Sequence, residues 1–219
     1  MLERRAMRLV IGNKNYSSWS LRPWLVLKQF GIPFEEKLIP LDRDETEGEL
    51  SQYCPGGKVP TLVDGTYPVW ESLAIIDHLQ DRFPEKAIWP KKPEWRARAR
   101  SVSAEMHAGF AALRQHCPMD CRAKKLRPTG ARWEAIAEDV ARVQDIWTQC
   151  LELSGGPFLL GEFSAADAMF APVVTRFQTY QLPLNASAQN YVSTMLAHPP
   201  MQNWLEAARQ ESWHLPTPD

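Results

Sequence analysis

At 219 residues the chain is long enough to bury a core without the support of disulfides or metal. Its 25 Lys and Arg against 26 Asp and Glu give a formal charge of −1, which excludes nucleic-acid binding by bulk charge and attraction to an anionic lipid surface. Apolar residues at 44% and charged residues at 23% are an ordinary globular balance, and no stretch approaches the roughly 18 apolar residues of a membrane span. A protein without membrane segments is therefore expected. The opening Met1 to Met7 is charged and lacks the apolar run of a secretory signal, so a cytoplasmic location is expected, with Met7 an alternative start.

In chain order, Arg8-Leu9-Val10-Ile11-Gly12 reads as a first strand. From Ser20 to Phe30, Leu21, Trp24, Leu25 and Leu27 fit one helical face, with Ser20 at the N-cap, Pro23 in the first turn and Gly31 closing the helix. Phe34 to Leu41 reads as a second strand. Two extended runs, Pro60 to Val63 and Thr66 to Trp70, flank the Asp64-Gly65 pair, a strong hairpin signal. Leu73, Ile76, Leu79 and Phe83 then mark a second helix.

Three prolines between Phe83 and Pro93 mark a boundary, beyond which the pattern is wholly helical. Trp95, Ala99, Val102, Met106, Phe110 and Leu113 predict one long helix, and Trp133, Ile136, Val140, Val143, Trp147 and Cys150 another. Ser164 to Asp167 has the form of a capping box opening a third, through Met169, Val173 and Phe177. Shorter helices are expected over Ala188 to Leu196 and Met201 to Gln210. The expected division is an α/β domain over 1–83, a linker over 84–94 and an all-α domain over 95–219. Cys54, Cys117, Cys121 and Cys150 contain no C-x-x-C pair and the five His are scattered, so free thiols and no metal site are expected.

The order β-α-β then β-β-α, with Val59-Pro60 leading the third strand and helices beyond, resembles the glutathione transferase superfamily: a thioredoxin-like α/β domain followed by an all-α helical domain. Ser17-Ser18-Trp19-Ser20, Lys58-Val59-Pro60 and Glu71-Ser72 carry the resemblance, which spans nearly the whole chain and is similar to serine-type, zeta- or theta-like members of bacterial type. It implies glutathione as co-substrate, with Ser72 at a helix N-terminus for the γ-glutamyl carboxylate, Glu71 for the amine and Lys58 beside the glycyl carboxylate. It further implies a cis Val59-Pro60 bond that presents the Val59 backbone to the cysteinyl unit.

A thiol with a reference pKa of about 8.5 is mostly protonated at neutral pH, so catalysis means stabilising its anion. Ser17 matches the active serine of the resemblance, with Ser18 and Tyr16 as alternative hydroxyls. Arg22 either steers the ligand or pairs with an acidic neighbour, the second being favoured. Trp19 stands where zeta-like members carry cysteine, which weakens a maleylacetoacetate-type isomerase reading. Met106, His107, Phe110 and Arg114 are the candidates for the pocket of a small hydrophobic electrophile, His107 and Arg114 lying off the core stripe. The functions implied are a glutathione transferase of detoxifying type, the isomerase, or a non-catalytic glutathione carrier. The resemblance also implies a homodimer.

Overall fold

The computed structural model describes residues 6–215; the expectation about the opening segment falls largely on residues 1–5, outside them. Strands β1 (Met7–Ile11), β2 (Glu35–Leu38), β3 (Thr61–Asp64) and β4 (Tyr67–Val69) form one mixed sheet in the order β2-β1-β3-β4. β1 runs parallel to β2 and antiparallel to β3, which pairs with β4 around a Gly65-Thr66 turn, one residue beyond the expected Asp64-Gly65, because Asp64 ends β3 opposite Tyr67; Gly65 takes a φ of 67°. Helices α1 (Ser18–Gln29), α2 (Thr46–Ser51) and α3 (Ser72–Arg82) accompany the sheet. A 3-10 turn at Pro84–Lys86 leads into α4 (Pro93–Ala108), α5 (Ala111–His116), α6 (Gly130–Ser154), α7 (Ala165–Thr179), α8 (Ala186–Ala197) and α9 (Pro199–Gln210). A thioredoxin-like α/β part followed by an all-helical part is the observed architecture.

Local chemistry accounts for several boundaries. α1 stops in a Schellman motif: Gly31, at φ 59°, donates to the Lys28 carbonyl at 3.2 Å and Ile32 donates to the Leu27 carbonyl at 2.9 Å. The helix begins two residues before the expected Ser20, with Ser17 at its N-cap. Pro23 consequently lies inside it, and the ring removes the amide that would have reached the Trp19 carbonyl.

Two further expectations are corrected, and one element is added. β2 ends at Leu38, short of Leu41. The six-residue α2 has no signal in the sequence, because Leu50 is its only buried side chain and one apolar residue makes no period. The single helix expected from Trp95 to Leu113 is broken into α4 and α5. Phe110 adopts φ 58°, and a Cβ at Gly109 would lie 2.8 Å from the Glu105 carbonyl. Phe110 and Leu113 remain buried across the break, so the apolar spacing continues while the backbone does not. Leu113, in the new helix's first turn, donates its amide to Asp139 at 2.9 Å.

α7 is buried along nearly its whole length, between α1 and α4, so one apolar core joins the sheet side to the helical side. At its start Asp167 accepts from the Ser164 and Leu159 amides, each at 2.9 Å, and from the Tyr191 hydroxyl at 3.1 Å. Burial pushes this carboxyl up to about 6, against the pull of those donors.

At the start of α9, His198 stacks on Phe163 at 4.7 Å with the rings 17° apart, and burial lowers its pKa. The native state thus resists protonating His198 while the unfolded chain takes up the proton near its ordinary value, so stability is lost as pH falls. Between about pH 7.5 and about pH 5.5 the native protein should lose more stability than His198→Phe, measured by denaturant unfolding. Equal losses would show that His198 is as readily protonated folded as unfolded.

Candidate functional site

The loop from Gly12 to Ser17 joins β1 to α1, and the helical half holds it in place. The Lys14 and Asn15 amides donate to the two carboxylate oxygens of Glu211, at 2.6 and 3.0 Å. Trp204 Nε1 donates to the Lys14 carbonyl at 2.9 Å, and the Asn15 carbonyl accepts from the Cys121 amide at 3.2 Å. Every one of these partners is remote in sequence.

That loop delivers Ser17, whose Oγ lies 2.7 Å from Ser20 Oγ, while the Gly12 amide donates to Ser20 Oγ at 3.2 Å. Ser20 is therefore not the cap expected of it. Ser17 Oγ–H can donate to Ser20, which has a second lone pair beside the one taken by Gly12; with the two hydroxyl protons rotated, Ser20 donates to Ser17 Oγ instead and the Ser17 proton is free for a third group. Tyr16, the alternative hydroxyl, accepts from Arg122 Nη2 at 3.0 Å. Ser18 is buried in the first turn beside it.

A cavity of about 320 Å³ opens next to this helix end and is lined by Trp19, Lys58, Val59, Pro60, Glu71 and Ser72. The Val59-Pro60 bond is cis. Ser72 is 1% exposed and its hydroxyl has no partner among the described residues, at the first turn of α3, where helix amides are also unpaired. Glu71 is largely exposed and reaches His107 across the two halves, at 3.5 Å. A second opening, about 310 Å³, contains Tyr16, Ser17 and Ser18 and shares Trp19, Lys58 and Val59 with the first. The structure thus brings Ser17, Lys58, Val59, Pro60, Glu71 and Ser72 around one continuous cleft.

A third cavity, about 490 Å³, shares Tyr16, Ser18 and Trp19 with the second opening and also includes Met119 and Arg114. Of the four candidates for the electrophile pocket, Arg114 lines it and His107 packs edge-on against Trp19 at 5.2 Å. Met106 and Phe110 are not brought there: both sit in the core, the first fully buried and the second 7% exposed. Burial and the neighbouring Arg22 and Arg114 lower the His107 pKa, despite the opposing pull of Glu71.

Arg22 departs from expectation. No carboxylate among the described residues lies within ion-pair distance; instead the guanidinium stacks on Trp19 at 4.2 Å, with Nε and Nη1 unpartnered. Burial, with Arg176 and Arg114 nearby, pulls its pKa down to about 9. Arg114 lies 5.5 Å from the same ring. Trp19, standing where zeta-like members carry cysteine, is the platform for both. Arg176 also lines the third cavity and escaped the sequence reading, although a lone arginine in the apolar run Met169 to Phe177 was a usable signal. Among the described residues no group of three or more His, Cys, Asp or Glu could hold a metal ion, and the four cysteines are free.

Family models described as Glutathione S-transferase, N-terminal domain and C-terminal domain match residues 16–82 and 93–207. The chain belongs to the glutathione S-transferase family. Among curated proteins it is 28% identical over 171 residues to a "Probable maleylacetoacetate isomerase" of Caenorhabditis elegans, covering 77% of each. It is 22% identical over 174 residues to a "Stringent starvation protein A homolog" of Pasteurella multocida, covering 79% of this chain and 76% of that one. Among solved structures, a glutathione transferase homolog from Burkholderia with bound glutathione superimposes with a TM-score of 0.71 at 22% identity, over 94% of this chain and 98% of the other. Ure2p in complex with glutathione gives 0.69 at 16% identity, over 92% and 99%.

The Arg22 charge is buried without a counter-ion, which costs stability unless stacking repays it. Arg22→Met should therefore melt no lower than the native protein, with a gain of up to roughly 2 kcal/mol in denaturant unfolding. A loss above about 1 kcal/mol would contradict an uncompensated charge at this position.

Proposed function

We propose that the chain is a glutathione transferase in which Ser17 stabilises the glutathione thiolate for attack on an electrophile. The observation that carries this reading is the pairing of Ser17 with Ser20 at the amino end of α1, facing a cleft whose far end holds the unpartnered Ser72 hydroxyl. The γ-glutamyl carboxylate fits Ser72 and the first-turn amides of α3, and the α-amine fits Glu71. Val59 offers its backbone to the cysteinyl unit, Lys58 stands by the glycyl carboxylate, and the sulfur then falls at Ser17.

Ser20 acts as a positioning residue. When a sulfur takes the Ser17 proton, Ser20 turns its own proton to Ser17 Oγ, which keeps the Ser17 O–H directed at the sulfur and strengthens it as a donor. One charge-assisted hydrogen bond of this kind lowers a thiol pKa by about one unit, or about 1.4 kcal/mol, which multiplies the thiolate fraction near neutral pH. The thiolate attacks the electrophilic carbon, and in a substitution the leaving group departs with its electron pair. Steady-state assays with glutathione and an activated aryl halide should show Ser17→Ala reduced roughly ten- to a hundredfold in kcat, with the alkaline rise of the pH profile moved up by about one unit. Unchanged turnover would remove Ser17 from the mechanism.

The resemblance to the nematode protein favours a second reading, glutathione-dependent cis-trans isomerisation of an enediketone. The same thiolate would add to the double bond, permit rotation and be eliminated, so that glutathione is regenerated. Isomerisation of a maleyl-type diketone with no net loss of glutathione, in preference to aryl conjugation, would establish that reading, and failure of the substrate to isomerise would eliminate it.

A further inference from the structure

The third cavity carries more positive charge than a pocket for a neutral apolar molecule requires. Arg114, Lys125 and Arg176 line it against the single acid Asp120, whose Oδ1 accepts from Asn15 Nδ2 at 2.9 Å. Among the described residues none of these three cations, nor Arg22, has a carboxylate within 4.0 Å. Arg176 is 3% exposed; its Nε donates to the Cys117 carbonyl at 2.9 Å, and its Nη1 has no partner. Arg114 donates one Nη1 bond to the His107 carbonyl at 3.2 Å. The surrounding chain is itself basic, with six Lys or Arg and one acid between Arg114 and Arg132, in a protein whose net charge is −1.

Residues of similar volume without charge would pack into these positions without the cost of desolvating a cation. The arginines also burden one another. Burial and the Arg114 charge pull Arg176 down to about 10, and Arg22, behind the Trp19 wall, is depressed by both. An anion in the cavity would relieve that repulsion and complete the open guanidinium valences.

We propose that the third cavity binds a carboxylate carried by the co-substrate, with Arg176 as the buried anchor, Arg114 as its partner and Lys125 at the wall. The electrophile is then an acidic organic molecule whose reactive carbon is turned toward Ser17 past Tyr16 and Ser18, which line both openings. The role as a co-substrate site rests on the transferase reading above; the anion preference itself does not.

Calorimetric titration of the full chain saturated with S-methylglutathione, which cannot react, compares 4-nitrobenzoate with its neutral isostere 4-nitrobenzamide. The benzoate should bind at least about tenfold more tightly, equivalent to about 1.4 kcal/mol. That preference should fall to near unity in Arg176→Gln and be clearly reduced in Arg114→Gln. Should the buried Arg176 variant fail to fold, the part-exposed Arg114 variant decides. Equal affinity for the two ligands, a preference that survives in the arginine variants, displacement of S-methylglutathione by the benzoate, or no benzoate binding at millimolar concentration would each overturn the proposal. If the preference holds while no conjugation of any electrophile is seen, the transferase reading fails and the anion site stands. If conjugation proceeds with no charge preference, the transferase reading stands and the anion site fails.

Discussion

A loop that crosses between a strand and a helix cannot satisfy its own backbone groups, and when it is buried something else must do so. Between Gly12 and Ser17 that something is the distant helical half: the Glu211 carboxylate takes the Lys14 and Asn15 amides, Trp204 supplies a donor to the Lys14 carbonyl, and Cys121 supplies one to Asn15. The chain direction at Ser17, and so the placement of its hydroxyl at the mouth of the cleft, depends on these bonds. Edge-to-face packing of Trp24 on Trp204 at 5.1 Å locks α1 to α9 behind the same loop. The cleft is lined by residues of the α/β half, while the helical half fixes the loop that carries Ser17 into it.

Trp19 organises what surrounds that loop. It forms a wall of all three cavities, carries the Arg22 guanidinium on its face at 4.2 Å, and meets His107 edge-on. A large ring at this position separates a polar cleft, built from backbone and helix-end donors, from a cationic cavity built from arginines on α5 and α7. Tyr16 and Ser18 line both, whereas Ser17 lines the polar side.

The legible parts of the fold were those governed by short-range rules. Gly31, the hairpin at Gly65 and the Ser164 to Asp167 opening each specify a backbone geometry through residues a few positions apart, and each reappears in the structure, the hairpin turn shifted by one residue to Gly65-Thr66. The break between α4 and α5 was hidden because Phe110 and Leu113 keep their apolar spacing across it. At the break Gly109 is extended, in a place where a Cβ would crowd the Glu105 carbonyl, Phe110 is left-handed, and Asp139 of α6 receives the Leu113 amide of the new helix. The role of Ser20 was obscured by its own suitability as a cap. Only the approach of the Gly12 amide shows that its oxygen is engaged elsewhere.

Sequence by itself determined the two-part architecture and the order of strands and helices, because periodicity, turn chemistry and caps are local properties, while Ser17, Lys58-Val59-Pro60 and Glu71-Ser72 were marked as cleft residues by the resemblance of their short motifs to the glutathione transferase superfamily. Tertiary structure alone decided that Met106 and Phe110 face the core, that Arg22 is buried on Trp19 without a carboxylate partner, and that Arg114 and Arg176 converge on one cavity. Charge and solvation depend on what a side chain meets across the fold, and Arg114 and Arg176 lie on different helices whose relative placement no local pattern encodes.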